Sequence, residues 1–106
     1  MSTLPDHLRL FFRDESMQSV LLPLTRDEES GLCTVGDREV AVDLPNGETI
    51  NVYAEVAEHE GVADISLSII QDGRDFDVRC LGGLIVNYTS AGGMDVLCQI
   101  GTGPWD

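Results

Sequence analysis

The chain is 106 residues long and 42% hydrophobic, and its 19 acidic residues outnumber its 6 basic residues to give a formal net charge of −13. This length and composition predict a single domain, residues 1–106, that can build one hydrophobic core without disulfides or metals. The bases are six arginines scattered among the acids, whereas phosphate recognition requires clustered cations. The charge therefore excludes a direct nucleic-acid binder and disfavours an anionic membrane surface.

The sequence also carries no recognisable membrane or secretion signal. No apolar stretch approaches the roughly 20 residues of a membrane-spanning helix. Residues 1–5 lead into mixed charge rather than into the basic and then apolar segments of a secretion signal. We therefore expect a cytoplasmic protein.

The N-terminal segment has the pattern of a helix start. Thr3 supplies a hydroxyl cap, Pro5 lies in the first turn, and Asp6 lies near the positive end of the helix dipole. We predict a helix over about residues 4–13, which would cover the apolar face of a sheet.

The same segment also fits a β-hairpin. In this alternative Leu8, Leu10 and Phe12 pair with residues 20–24 across a turn around Glu15. Pro23 makes residues 20–24 an edge or irregular strand. Both interpretations stay open at this point, and we adopt the helix.

The three cysteines cannot all pair with one another. Cys80 and Cys98 fall on the predicted buried face, where a free thiol behaves as a small hydrophobic side chain. Cys33 follows Gly31 in a short apolar patch, has no CxxC partner, and is predicted to be a half-buried strand residue.

From residue 38 onward, apolar residues alternate with polar ones. A period of two over six segments is typical of strands with one buried face. We predict a mainly β fold, on the border of α+β because of the helix: an antiparallel meander of about six strands over residues 38–100, strongly curved or partly closed. The alternating apolar set comprises Val40, Val42, Leu44, Ile50, Val52, Ala54, Val56, Ile65, Leu67, Ile69, Phe76, Val78, Cys80, Leu84, Val86, Tyr88, Met94, Val96, Cys98 and Ile100.

Five loops set the predicted register of this meander. A one-residue slip at any loop would move a whole strand's apolar set to the other face, so the agreement of all five supports the sheet. The pairs that follow from turn chemistry are Val42 with Ile50 across Pro45-Asn46-Gly47, Ala54 with Ile65 across residues 58–61, Ile69 with Phe76 across Asp72-Gly73, Val78 with Val86 across Leu81-Gly82-Gly83, and Val86 with Val96 across Ser90-Ala91-Gly92.

Residue patterns that carry catalysis or metal binding are not found. The chain has two histidines, and His59 lies between two glutamates in a turn, where adjacent side chains point in different directions. The acids around Gly73 do not follow the spacing of a calcium loop. No glycine-rich segment has the context of a phosphate-binding loop. We therefore expect no catalytic residue, no metal and no cofactor, and we predict that the protein is not an enzyme.

The acidity itself has several explanations. It keeps a small protein soluble, it can reflect a GC-rich genome or a high-salt cytoplasm, or it can steer the protein onto a basic partner. Our leading hypothesis is a non-enzymatic inhibitor, immunity or anti-defence type protein. Its partner would be a basic protein surface, such as that of a nucleic-acid-handling enzyme or a toxin.

The outward face of the meander supplies the residues for this role. Trp105 in the C-terminal tail either folds back onto the core or serves as an exposed aromatic anchor. The expected partner-binding residues are Glu39, Asp43, Glu55, Asp75, Asp77 and Asp95 for charge, Tyr53 and Asn87 for specificity, and Trp105 as the anchor.

Two other functions are open from the sequence. One is an acidic, homodimeric chaperone of the secretion-system type that holds an extended client. The predicted opening helix and the following strands resemble such a chaperone only in outline. The other is a small-ligand-binding β-domain that uses the mouth of a partly closed barrel.

Overall fold

The computed structural model describes residues 7–14, 18–35 and 39–101. In these ranges the chain forms nine β-strands and no helix, so the described residues include no helix that could cross a membrane. The strands are β1 (His7–Phe12), β2 (Ser19–Arg26), β3 (Cys33–Val35), β4 (Val40–Asp43), β5 (Thr49–His59), β6 (Val62–Gln71), β7 (Arg74–Leu81), β8 (Leu84–Thr89) and β9 (Asp95–Ile100).

The strands form one antiparallel sheet in the order β7-β6-β5-β3-β2-β1-β9-β8. The short strand β4 also pairs with β5, next to the stretch that pairs with β3, so the two share one edge of β5. Because β1 pairs with both β2 and β9, the first and last strands lie side by side. The result is a nearly closed, barrel-like meander in which only β7 and β8 end the path.

The core fills the inside of this barrel. Inward residues alternate along every strand, as in the buried-then-intermediate pattern of β6. A barrel of about eight strands is just wide enough for side chains to fill, and each fully buried aliphatic residue stabilises the fold by about 1.5–3 kcal/mol. The largest fully buried side chains are Leu8, Leu10, Ile50, Ile65, Leu67, Ile69, Leu84, Ile100, Val35, Val52, Val56 and Val96.

The predicted N-terminal helix over residues 4–13 is wrong, and the hairpin alternative is correct. Residues 7–12 are strand β1, with Leu8 opposite Leu22 and Leu10 opposite Val20. As an inner strand, β1 gains backbone ladders on both sides and buries every second side chain. These tertiary gains outweigh a local helix-start pattern, whose contribution is on the order of 1 kcal/mol. Residues 3–6, which carried that pattern, lie outside the described residues.

Pro23 was expected to mark an edge or irregular strand. Strand β2 is not at an edge of the sheet, but its two parts pair with different strands. Residues 19–23 pair with β1, and residues 24–26 pair with β3. Pro23 lies at this change, where the loss of one backbone donor is tolerated.

Two of the five predicted registers are confirmed. Val42 lies opposite Ile50, and Ile69 lies opposite Phe76. In the second hairpin Asp72 and Gly73 have φ of 51° and 78°, the left-handed pair that a type I′ turn requires.

Two registers are wrong by two residues. Ala54 faces Leu67 instead of Ile65, because the turn contains only Glu60 and Gly61, with φ of 55° and 82°. Val86 faces Cys98 instead of Val96, because Ser90 and Met94 bond to each other and the loop lies one residue later than predicted. A shift of two leaves each side chain on its own face, so the buried set was correct even where the partners were not.

The fifth predicted hairpin does not form. Val78 and Val86 are not paired, and no ladder joins β7 to β8, both of which are fully described. After Leu81 the Gly82 N–H donates to the Ala63 carbonyl at 2.7 Å, so the connection follows β6 instead of folding β8 back onto β7. This leaves an opening in the barrel.

All three cysteines are free. Cys98 is buried in the core, and burial raises the pKa of its thiol to about 12. Cys80 is half-buried rather than fully buried, and Cys33 is a strand residue that is more buried than predicted.

Candidate functional site: the seam between β7 and β8

The seam is the gap between β7 and β8, where the barrel does not close. Inward-facing apolar residues of β1, β5, β6 and β9 are buried, whereas Phe76, Val78 and Cys80 of β7 and Val86 of β8 are only partly buried. The inward-facing residues of β2 are partly buried as well. At one end of the seam the rings of Phe76 and Tyr88 meet edge to face, with centroids 5.4 Å apart. The core is therefore incompletely covered along the seam.

The register shows which backbone groups of β7 face the seam. In the type I′ turn Gln71 and Arg74 form a hydrogen-bonded pair, and such pairs alternate with non-bonded pairs along an antiparallel ladder. Asp75, Asp77, Arg79 and Leu81 fall in the non-bonded pairs. Their N–H and C=O groups point away from β6 and into the seam.

Two open cavities lie along the seam. One, of about 280 Å³, is lined by Arg74, Asp75, Phe76, Tyr88 and Thr89. The other, of about 430 Å³, lies at the opposite end, where its lining includes Cys80, Leu84, Ile100 and the glycines at 82, 83 and 101. Both are shallow surface depressions between the two strands.

The Gly82-Gly83 end of the seam is apolar. Leu81 is 69% exposed and Ile85 is 65% exposed, one on each side of the connection. Val62, which is 43% exposed, lies two residues before Asp64, the residue that pairs with Leu81 on β6. Exposed large apolar side chains that cluster in this way are typical of an interaction surface.

The hairpin end of the seam is acidic. Asp75 and Asp77 point outward from β7, and the Ser68 hydroxyl donates to Asp77 Oδ1 at 2.7 Å. Arg79 is held by Asp64, with Nε to Oδ1 at 2.9 Å and Nη2 to Oδ2 at 2.6 Å, and this guanidinium lowers the pKa of Asp64. Within the described residues no cation neutralises Asp75 or Asp77.

The predicted partner-binding residues fall into two groups on either side of the seam. Tyr53, Ser68 and Asp77 lie side by side on β5, β6 and β7, so Tyr53 belongs to the same outer surface as Asp77. The first group also includes Asp43 on β4, Glu55 on β5 and Asp75 on β7, and the second group consists of Asn87 on β8 and Asp95 on β9. Glu39 is exposed just before β4, and Trp105 lies outside the described residues.

Polar side chains in both groups are bonded to their neighbours. The Tyr53 hydroxyl donates to Glu55 Oε1 at 2.8 Å, and burial together with Glu55 raises the tyrosine pKa to about 12. Asp95 accepts from Thr89 at 2.7 Å and from Asn87 at 3.3 Å, and these bonds lower its pKa. Partner contacts by Tyr53 and Asn87 would compete with these bonds.

A polar network, the Glu48 clasp, holds the Tyr88 end of the seam. Glu48 accepts hydrogen bonds from Gln71 Nε2 and the Gly92 N–H, each at 2.9 Å, and from Asn46 and the Ser90 hydroxyl. The Ser90 bond is the main cause that lowers the pKa of Glu48 from 4.5 to about 2. A Cβ on Gly92 would lie 2.7 Å from Glu48 Oε1, so a larger residue at position 92 would displace the Glu48 carboxylate.

The clasp extends across the seam to β8. The Tyr88 hydroxyl and the Ala91 N–H both donate to Gln71 Oε1, at 2.8 and 2.9 Å. Gln71 and Ser90 are buried, and no buried side-chain polar atom among the described residues lacks a partner. The clasp is therefore a satisfied structural network that joins the end of β6 to the β4–β5 and β8–β9 loops and fixes one end of the seam.

Neither the seam nor the clasp is apparent from the sequence. The sequence pattern predicts a loop at Leu81, and it gives no signal for Glu48, Gln71 or Ser90 because their long-range contacts join residues 17 to 44 positions apart in the chain. One signal was available: Asp75, Asp77 and Arg79 place a charge at three successive outward positions of β7, a pattern typical of an exposed edge strand.

The described residues contain no group of three or more His, Cys, Asp or Glu side chains placed to hold a metal ion. Neither a protein-family model, nor a curated protein, nor a solved structure matches this chain. The geometry of the seam and the charge of the surface beside it are thus the basis for a functional proposal.

Proposed function

We propose that this protein is a non-enzymatic protein-binding module that blocks or neutralises a basic partner protein, as inhibitors, immunity proteins and anti-defence proteins do. The outer surface of β4 to β7 supports this proposal. Residues 40–81 hold nine acids and two arginines, and Asp64 already engages one of those arginines. A surface of unneutralised carboxylates attracts a basic protein, raises the association rate and repels acidic surfaces.

An apolar patch beside the acids distinguishes this surface from a merely solubilising one. Leu81 and Ile85 are the most exposed large apolar side chains, and they lie on the same seam as Asp75 and Asp77. Protein interfaces commonly combine an apolar centre with a polar rim. We place this function in the cytoplasm, where the three free thiols would stay reduced.

No observation favours the two alternatives. The opening helix that resembled a secretion chaperone is strand β1 over the described residues. A ligand-binding β-domain would use a pocket at the mouth of the barrel, whereas side chains fill the interior here and the cavities described above open along the seam.

The test begins with affinity capture from the host organism and identification of the bound protein by mass spectrometry. Binding of that protein is then measured by calorimetry for the wild type, for D75R/D77R, and for a control, D27R/E28R, in the exposed loop between β2 and β3. We expect D75R/D77R to weaken binding at least about tenfold at low salt and the control to have little effect. Equal effects of the two pairs would contradict the proposed surface.

A further inference from the structure

We infer that the partner binds by adding one extended strand, antiparallel, to the open edge of β7, and that this strand alternates basic and apolar residues. The inference rests on the proposed function and specifies the kind of segment that is recognised.

The backbone of β7 is ready to pair with such a strand. Asp75, Asp77, Arg79 and Leu81 direct their N–H and C=O groups into the seam, and β8 does not bond to them. An exposed edge of this kind is a template for strand addition, in which the main chain provides affinity and alternate side chains provide specificity.

The side chains of β7 determine which residues an added strand should carry. Its outward residues would lie beside Asp75 and Asp77, where cations are favoured because opposite charges on adjacent strands attract. Its inward residues would lie against Phe76 and Val78, which are partly exposed to solvent in the free protein and gain burial from an apolar neighbour. Beside exposed Leu81, an outward apolar residue is favoured.

Charge argues against a second copy of this chain as the occupant. Each copy carries a net charge of −13, and Arg79, the only outward-facing base on β7, is held by its own Asp64. Bringing two β7 edges together would therefore concentrate carboxylates, whereas a basic strand would neutralise them.

The test uses synthetic peptides of about eight residues that alternate Arg and Val, a length typical of a strand. In antiparallel pairing with β7, the residues opposite Asp75 and Asp77 share their outward orientation and direct their N–H groups toward β7. Methylation of the Arg backbone nitrogens therefore removes the donors that bond to β7. Methylation of the Val nitrogens is the matched control, with the same charge and the same number of methyl groups.

We expect the parent and Val-methylated peptides to bind with similar affinity and the Arg-methylated peptide to bind at least about tenfold more weakly. The amide protons of Asp75, Asp77 and Arg79 should become protected from hydrogen exchange when the parent peptide binds, as measured by NMR. D77P should bind the peptide more weakly than D77N, because both lose the carboxylate and only proline loses the seam-facing N–H.

Other outcomes would overturn the inference. If all three peptides bind equally and D75R/D77R abolishes binding, the acids attract cations without strand addition, and the proposed function survives alone. If D75R/D77R binds the peptides as tightly as the wild type does, the proposed surface fails as well. If the same amides are protected without peptide, the edge is already occupied and the inference fails. Protection that increases with protein concentration would show that a second copy occupies the edge, and protection independent of concentration would show that the chain itself does.

Discussion

At the scale of single residues, Glu48 has the most consequential side chain outside the core. Its carboxylate receives hydrogen bonds from the loops that follow β4 and β8 and from the end of β6, including the buried Gln71 and Ser90. Because these bonds favour the ionised form, the pKa of Glu48 falls from 4.5 to about 2 on folding. A carboxyl group with a lowered folded-state pKa stabilises the protein only while it is ionised.

We predict that E48Q has a lower free energy of unfolding than the wild type at neutral pH. The contribution of Glu48 is fully present above pH 4.5 and is lost as the pH falls toward about 2, so the two proteins should converge in that interval. Urea unfolding between pH 2 and pH 7 measures the difference. The control E28Q, in an exposed loop, should follow the wild-type curve. If the difference in free energy of unfolding between the wild type and E48Q does not change with pH, this assignment is contradicted.

At the scale of elements, β1 accounts for the main difference between expectation and structure. It lies between β2 and β9, and it joins the C-terminal strands β9 and β8 to the rest of the sheet. Leu10 is fully buried, whereas Leu21 of β2, which lies opposite Arg9, is 58% exposed. A covering helix would instead leave residues 8–12 without ladder partners and would break the continuity of the sheet.

We predict that L10A lowers the free energy of unfolding by about 2–5 kcal/mol, because truncation of a buried leucine leaves a cavity in a packed core. The matched control L21A removes the same atoms from an exposed position of the neighbouring strand and should change stability by no more than about 0.5 kcal/mol. Chemical denaturation monitored by circular dichroism measures both. Comparable losses in the two variants would mean that β1 does not lie inside the sheet.

At the scale of the whole molecule, net charge opposes folding. The described backbone extends 39 × 31 × 18 Å, and the whole chain carries a formal charge of −13. At about 0.01 M salt the Debye length is roughly 30 Å, so acids across the whole molecule repel one another. At about 0.15 M the length is roughly 8 Å, and only near neighbours still interact.

We predict that raising NaCl from about 0.01 M to about 0.15 M increases the melting temperature, because screening relieves repulsion that is stronger in the compact state. Differential scanning calorimetry measures the shift. The variant D27N/E28Q/E29Q, which removes three exposed charges, should show a smaller increase than the wild type. A melting temperature that falls with added salt would show that attractive ion pairs dominate over repulsion.

Much of the sheet was predictable because its signals are local. Asp72-Gly73 and Pro45-Asn46-Gly47 specify their hairpins through turn chemistry, and the registers that follow were confirmed. Where the turn chemistry was less specific, as at Glu60 and Gly61, the register differed by two residues and the buried face was still correct.

The amino-acid sequence by itself determined which side chains from Val40 to Ile100 face the core, because alternation is a property of each strand and survives a register shift of two. It also determined the acidity of the surface. Only the tertiary structure decided that residues 7–12 form an inner strand, that Glu48 joins two loops to the end of β6, and that β7 and β8 stay apart. Those outcomes depend on strand ladders and hydrogen bonds between residues that are distant in the chain. Their combined free energy outweighs local propensity, and it cannot be inferred from any short stretch of sequence.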